Sequence, residues 1–219
     1  MSNVKRLYIQ YGCGLSCPDG WLNYDISPRL WIERQPVIGH LLHYSGMSLF
    51  PKDVLYGDIA KGLPHPPGSA TGIYCSHVLE HLDRKSVEMA LANTFHLLAP
   101  GGIFRLIVPD MLWRARRFVA EADSGRADAA DRFMRSSFLG QESPLRTLAQ
   151  RLRAVYGNTA HRWMYDYGLM ASLLKDAGFV GIRRCHLGDA TDPMFTLVED
   201  RGRFYEGANE ELAIEARRA

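Results

Sequence analysis

The chain has 219 residues, a formal net charge of +2, 47% apolar and 23% charged residues. This length favours one domain spanning residues 1–219 with a full hydrophobic core. So small a charge gives no electrostatic footprint for nucleic acid or an anionic membrane surface. No apolar run reaches the roughly 20 residues that cross a bilayer. The stretch from Met1 to Arg6 has no signal-peptide pattern, so a cytoplasmic location is expected. The four cysteines, Cys13, Cys17, Cys75 and Cys185, form no paired CxxC framework and read as reduced thiols. Arginine outnumbers lysine, which reads as a bias of base composition more than as anion recognition.

Taken in chain order, Arg6 to Tyr11 is rich in β-formers and ends at Gly12, a strand followed by a tight turn. Residues 20–25 read as a second strand closing on Asp25. Residues 29–52, interrupted by Pro36, Gly39, Gly46 and Pro51, hold one short helix or irregular segment. Residues 53–58 read as a third strand closing on Asp58, and residues 61–69 as a proline-rich loop. Gly72 to Ser76 is a short buried strand. From Asp83 to Leu98, the residues Val87, Ala90, Leu91, Thr94 and Leu98 fall at helical spacing, and Pro100-Gly101-Gly102 stops that helix. Ile103 to Val108 is an apolar run broken only by Arg105, as suits a central parallel strand covered on both faces.

Residues 111–155 are helical in propensity and studded with arginine. Met170, Leu173, Leu174 and Ala177 mark an amphipathic helix closed by Gly178. Val180 to Cys185 and Phe195 to Val198 read as the last two strands, and the charged tail after Gly207 as a surface helix. Strands alternating with helices imply an α/β, Rossmann-like, doubly wound, mostly parallel sheet. Ligands on such sheets sit at the carboxyl ends of the strands, near the switch point.

The motifs fall at those ends. Gly12 and Gly14 permit a tight turn and close approach of a ligand to the backbone. Asp25, at the end of the next strand, can accept two hydrogen bonds from ribose hydroxyls. The 13 residues from Gly12 to Asp25 are fewer than the roughly 20 of dinucleotide-binding folds. Only a loop or a single turn fits between them, which argues against a pyrophosphate seated on a helix N-terminus. His77-Val78-Leu79-Glu80-His81-Leu82 lies between the fourth strand and the next helix.

This order of pieces, from the Tyr11-Gly12-Cys13-Gly14 turn through His77–Leu82 and Pro100-Gly101-Gly102 to Val108-Pro109-Asp110, resembles a class I methyltransferase that uses S-adenosylmethionine, closest to the type-11 branch. The resemblance implies S-adenosyl-L-methionine as cofactor. It places Tyr11, Gly12, Cys13, Gly14, Asp25, Ile26, Asp58, Ile59, Ser76 and His77 around it. Within that set, Asp58 would meet the adenine amino group, Ile59 would pack on the ring, and Ser76 and His77 would lie beside the methionine part. Departures from the family pattern are Gln10, Ser16 and Thr71, where the family usually has an acid, a glycine and an acid. Asp58 could instead serve as a strand-end cap.

An alcohol acceptor needs a base. His161 ranks first, in His161-Arg162-Trp163-Met164-Tyr165-Asp166, which also resembles this branch. Asp110 ranks second as its orienting partner, and His77 third. Asp110 could instead cap the following helix, and His161 could pack on Trp163. Residues 111–160 are expected to form a helical substrate cover. Its arginines 114, 116, 117, 132 and 135 could meet an anionic substrate, or form a solvated face paired with Glu121, Asp123, Asp128 and Asp131. The expected partner is a small-molecule or saccharide substrate, methylated at oxygen, with no nucleic acid, no membrane and no metal, and with a homodimer possible. Two alternatives stay open. One is a methyltransferase-fold binding or partner subunit with little or no activity. The other is a zinc peptidase, because His77-x-x-Glu80-His81 fits the inverted H-x-x-E-H pattern if both histidines share a helix face.

Overall fold

The computed structural model describes residues 6–35, 49–140 and 161–219. Its strands are β1 (Leu7–Tyr11), β2 (Trp21–Asp25), β3 (Leu55–Tyr56), β4 (Ala70–Ser76), β5 (Leu98–Val108), β6 (Phe179–Arg184), β7 (Tyr205–Glu206), β8 (Asn209–Glu210) and β9 (Leu212–Arg218). The helices are α1 (Pro28–Glu33), α2 (Arg84–Leu97), α3 (Met111–Asp123), α4 (Ala129–Ser136), α5 (Tyr167–Asp176) and α6 (Arg201–Phe204). Seven strands form one sheet in the order β3-β2-β1-β4-β5-β9-β6. The first five run parallel, and β9 enters antiparallel between β5 and β6. This is the α/β, Rossmann-like, mostly parallel sheet that the alternation of elements implies. The chain order reverses between β1 and β4, so the switch point lies beside the Gly12 turn. No helix among the described residues is long and apolar enough to cross a membrane.

Strand alternation divides the core. Ile9, Ile73 and Phe104 pack on one face with Val87, Leu91, Met170 and Leu174 of α2 and α5. Tyr8, Trp21, Tyr74 and Ile107 pack on the other with Phe195 and Phe204. Helix α2 begins where expected because the Asp83 carboxylate accepts from the Ser86 N–H at 2.9 Å, an N-cap bond. The chain passes from β1 to β2 through turns alone, with no helix between them, as the short spacing requires.

Four expectations need correction. The third strand contracts to Leu55–Tyr56. Pro100-Gly101-Gly102 does not separate helix from strand: β5 already starts at Leu98, and the three residues swell into a bulge where its register with β4 shifts between Ala70 and Gly72. Residues 195–198 are not a strand. Asp192 accepts from the Met194 N–H, and Pro193 opens a 3-10 turn over Pro193–Leu197. The tail is not a surface helix, because residues 212–218 form β9 in the interior of the sheet.

The last correction has an electrostatic cause. Arg105, on β5, is 1% exposed. Its Nε donates to Glu199 at 2.6 Å, and its terminal nitrogens donate to Asp189 at 3.0 Å, to Glu215 at 2.6 Å and to the His186 carbonyl at 3.2 Å. Burial alone would lower the guanidinium pKa, but Glu199 and Glu215 raise it and hold the charge in place. Burial raises the Glu199 carboxyl, and Arg105 opposes that shift without cancelling it. The acid on β9 that makes the tail look solvent-facing is therefore the counter-charge of a central strand. Arg105→Ala should lower unfolding stability by about 3–5 kcal/mol, because Glu199 and Glu215 then lack a buried partner. Urea unfolding at neutral pH measures this, and a loss below about 1 kcal/mol would show that the acids rehydrate.

Candidate active site

The carboxyl ends of β1, β2 and β4 open onto a cleft of about 560 Å³ lined by Gly12, Gly14, Asp25, Ile26, Tyr56, His77, Val78, His81, Leu82 and Arg162, with Ser27, Pro28, Asp83 and Ser86 at its edges. That volume lies in the range of small-molecule sites. Gly12 has φ +67°, and a Cβ there would overlap Val78 Cγ2. The turn can therefore close on the loop after β4 only if residue 12 has no side chain. Gly14, at φ +55°, faces open space, so only its backbone conformation calls for glycine.

Asp25 is fastened to that turn. One carboxylate oxygen accepts from the Gly14 N–H at 2.9 Å and the other from the Ser27 N–H at 2.7 Å. Each oxygen keeps a further lone pair for a ligand in the cleft. The same hydrogen bonds set the turn and aim the acid.

The remaining assigned residues divide. Ile26 and His77 line the cleft. The Tyr11 side chain lies in the core, where its hydroxyl meets Thr94 Oγ1 at 3.2 Å, so only its backbone borders the turn. Cys13 is buried with Leu30 and Val54, and burial pushes its thiol up to about 12. Ser76 is buried, and its hydroxyl has no hydrogen-bond partner. Asp58 turns away from the lining residues: it accepts from the Ala60 N–H and pairs with Lys61 at 3.3 Å. Ile59 belongs to the core. The cap reading of Asp58 thus describes its geometry, and Tyr56, 57% exposed, is the aromatic residue that β3 presents to the cleft.

His77 occupies left-handed backbone, φ +54°. Its Nε2 donates to the Arg203 carbonyl at 3.0 Å, and its Nδ1 lies 3.3 Å from Glu80 Oε1. Burial alone would lower its pKa. Glu80, the Arg203 carbonyl and Glu211 outweigh that and raise it. Both ring nitrogens face acceptors, so the imidazole favours its protonated form and serves as a cation more readily than as a base. Residues 79–81 form a 3-10 turn with His77 outside it. His77 and His81 therefore share no helix face, and the geometry behind the peptidase alternative is not built.

Asp110 caps α3, accepting from the Leu112 and Trp113 N–H groups, and it pairs with Arg184 at 3.2 Å. It borders a separate groove with Trp113 and Arg184, and among the described residues no hydrogen bond joins it to His161. The His161 ring rests edge-on against His81 at 5.1 Å and tilted against Phe138 at 5.0 Å. Burial lowers its pKa, although Glu80 pulls the other way, so it favours the neutral state. Its loop is pinned to the turn after β4, because the Glu80 carbonyl accepts from the N–H groups of Arg162 at 2.7 Å and Trp163 at 3.2 Å.

Among the residues of the expected cover, 141–160 lie outside the described residues. The described part is two helices whose arginines are mostly satisfied internally. Arg117 and Arg132 share Glu121, and Arg135 pairs with Asp131. Arg114 is buried and bonds Glu211, Glu206 and the Ser136 carbonyl. Tyr56 and Arg162 belong to no site expected from the sequence, and His81 belongs only to the peptidase alternative. Tyr56 lies within an apolar strand pattern that does not distinguish it, and Arg162 stands beside a histidine that carries the stronger chemical signal.

Residues 39–106 match the family model described as a methyltransferase domain. Over that segment, less than half of the chain, the sequence is similar to type-11 methyltransferase domains. A search among curated proteins finds no match. Among solved structures, a SAM-dependent methyltransferase from Archaeoglobus fulgidus is similar at 14% identity and a TM-score of 0.49, covering 97% of this chain and 86% of that one. A possible histamine N-methyltransferase from Thermotoga maritima is similar at 14% identity and 0.45, covering 97% and 82%. The 1,6-didemethyltoxoflavin-N1-methyltransferase of Burkholderia thailandensis, solved with its substrate and S-adenosylhomocysteine, is similar at 14% identity and 0.45, covering 100% and 74%. At these scores the likenesses decide nothing about the acceptor.

The two glycines of the turn after β1 should respond differently. Gly14→Ala should cost roughly 1–2 kcal/mol, the price of left-handed backbone. Gly12→Ala should cost more, because it adds the overlap with Val78. Thermal unfolding of the two variants checks the order, and equal losses would remove the steric role of Gly12.

Proposed function

We propose that the cleft at the switch point binds S-adenosylmethionine and that the enzyme methylates a hydroxyl of a small molecule or saccharide. The observation that carries this reading is the Asp25 carboxylate, fixed by the Gly14 and Ser27 N–H groups with lone pairs left for the cleft. Asp25 would accept from the ribose hydroxyls. Tyr56, Ile26 and Leu82 offer apolar surface to the adenine. The His77 cation and Arg162 face the end of the cleft suited to a carboxylate. No phosphate-binding helix N-terminus follows β1, and the cofactor has no phosphate to need one. When bound, S-adenosylmethionine supplies a methyl group on a sulfonium.

The chain's own residues must then hold the acceptor in line and take up its proton. His161 is the group assigned to acceptor activation: it favours the neutral state, its Nδ1 has no partner, and it stands beside the lining residues His81 and Arg162. Asp110 supports it only indirectly, by capping α3. An activating histidine at this place supports a hydroxyl acceptor, because an already nucleophilic substrate would not require one.

Calorimetry with S-adenosylhomocysteine and turnover against a panel of hydroxyl acceptors, read as demethylated cofactor released, test this reading. Binding without turnover on any acceptor would instead support the partner-subunit alternative. Asp25→Ala should weaken cofactor binding about ten- to a hundredfold, the range of a charged hydrogen bond, and unchanged affinity would remove its assignment. His161→Ala should lower kcat by about 10²–10⁴ with cofactor affinity nearly unchanged, and parallel losses would make it structural.

A further inference from the structure

We propose that Glu80, His81 and His161 form a binding site for one divalent transition-metal ion at the acceptor side of the cleft. Each residue offers one ligand atom, and the three atoms lie within 4.8 Å of one another. An ion with bonds of about 2.0–2.2 Å reaches all three after side-chain adjustments of under about 1 Å.

The independent observation is the state of the polar atoms inside this cluster. Glu80 is 0% exposed, and neither carboxylate oxygen has a hydrogen-bond partner. The imidazole nitrogens beside it are His77 Nδ1 at 3.3 Å and His81 Nε2 at 3.9 Å. His161 Nδ1 is likewise buried without a partner. A dry carboxylate with the His77 contact but no hydrogen bond of good geometry, beside an imidazole nitrogen without a partner, is costly in a folded protein, and a bound cation would satisfy both. The His161 ring is also held from behind. His161 packs on Phe138, and its loop is tied to the Glu80 carbonyl through Arg162 and Trp163.

Two imidazoles and one carboxylate, with positions left open, are the donor set of zinc and neighbouring first-row ions. Magnesium and calcium prefer sets made of oxygen. The site differs from the H-x-x-E-H arrangement, because Glu80 is here a ligand and the second imidazole comes from residue 161 in place of residue 77.

What the ion would do rests on the methyltransferase reading; that it binds does not. An acceptor hydroxyl on an open position would have its pKa lowered. Its proton would leave to solvent as the oxygen lone pair forms the new C–O bond and the C–S electron pair stays on sulfur. His161 would then act by holding the ion.

The test uses full-length protein stripped with chelator and titrated calorimetrically with ZnCl2, MnCl2 and MgCl2, with S-adenosylhomocysteine titrated separately into the metal-free protein. One zinc or manganese per chain is expected, bound more tightly than magnesium. Binding should weaken more than about tenfold in His161→Gln and in Glu80→Gln, each checked for folding by circular dichroism, with His81→Gln in reserve if Glu80→Gln unfolds. Absence of a one-per-chain site, or unchanged affinity in folded His161→Gln, overturns the proposal. If metal binds and S-adenosylhomocysteine does not, the cation site stands and the cofactor reading falls. If S-adenosylhomocysteine binds and no metal does, the proposal falls alone.

Discussion

Two buried arginines and the acids of the C-terminal tail hold this molecule together. Arg105 sits in the middle of the sheet and requires Glu215, Glu199 and Asp189 around it. Arg114, at the start of the helical segment after β5, requires Glu211 and Glu206. Glu211 and Glu215 belong to one stretch of tail, four residues apart. The tail therefore cannot leave the sheet without stranding two guanidinium groups in the interior. Each planar fork meets several acceptors at once, which a lysine ammonium cannot do with the same geometry. The excess of arginine in the composition thus has a structural use at these two positions, whatever its origin elsewhere in the chain.

This constraint reaches the cleft. Burying Arg105 and Glu215 places β9 between β5 and β6, and α6 precedes β9 by a short hairpin. The Arg203 carbonyl of α6 accepts from His77, and an Arg203 guanidinium nitrogen donates to the Cys13 carbonyl at 3.5 Å. The tail therefore touches both the loop after β4 and the glycine turn. The left-handed backbone of His77 is held by contacts on both ring nitrogens, consistent with strain being kept where surrounding structure over-determines it.

Charge also organises the cleft itself. Asp25 lies on the side of the glycine turn, while His77 and Arg162 lie toward the loop after β4. A ligand with a hydroxylated ring at one end and a carboxylate at the other matches that polarity. The Glu80 carboxylate lies just behind this wall, dry and without hydrogen bonds. It raises the pKa of His77 and pulls upward on His161 as well, yet His161 stays lowered by its own burial. Two imidazoles near one acid are thus shifted in opposite directions.

The sequence by itself determined the parallel strand-helix alternation, the turn at Gly12 and Gly14, and the acid closing β2. These features are local: period, glycine conformation and a carboxylate one strand away. It also determined α2, through its apolar stripe. Tertiary structure decided the rest. The tail became a strand because its buried glutamate answers an arginine 110 residues earlier in the chain, a pairing that no local pattern encodes. Asp58 and Ile59 left the cleft because β3 ended early and the chain turned at once, putting Tyr56 in their place. His161 came to rest on His81 because backbone hydrogen bonds to Glu80 tie its loop there, across 81 positions that sequence spacing cannot fold.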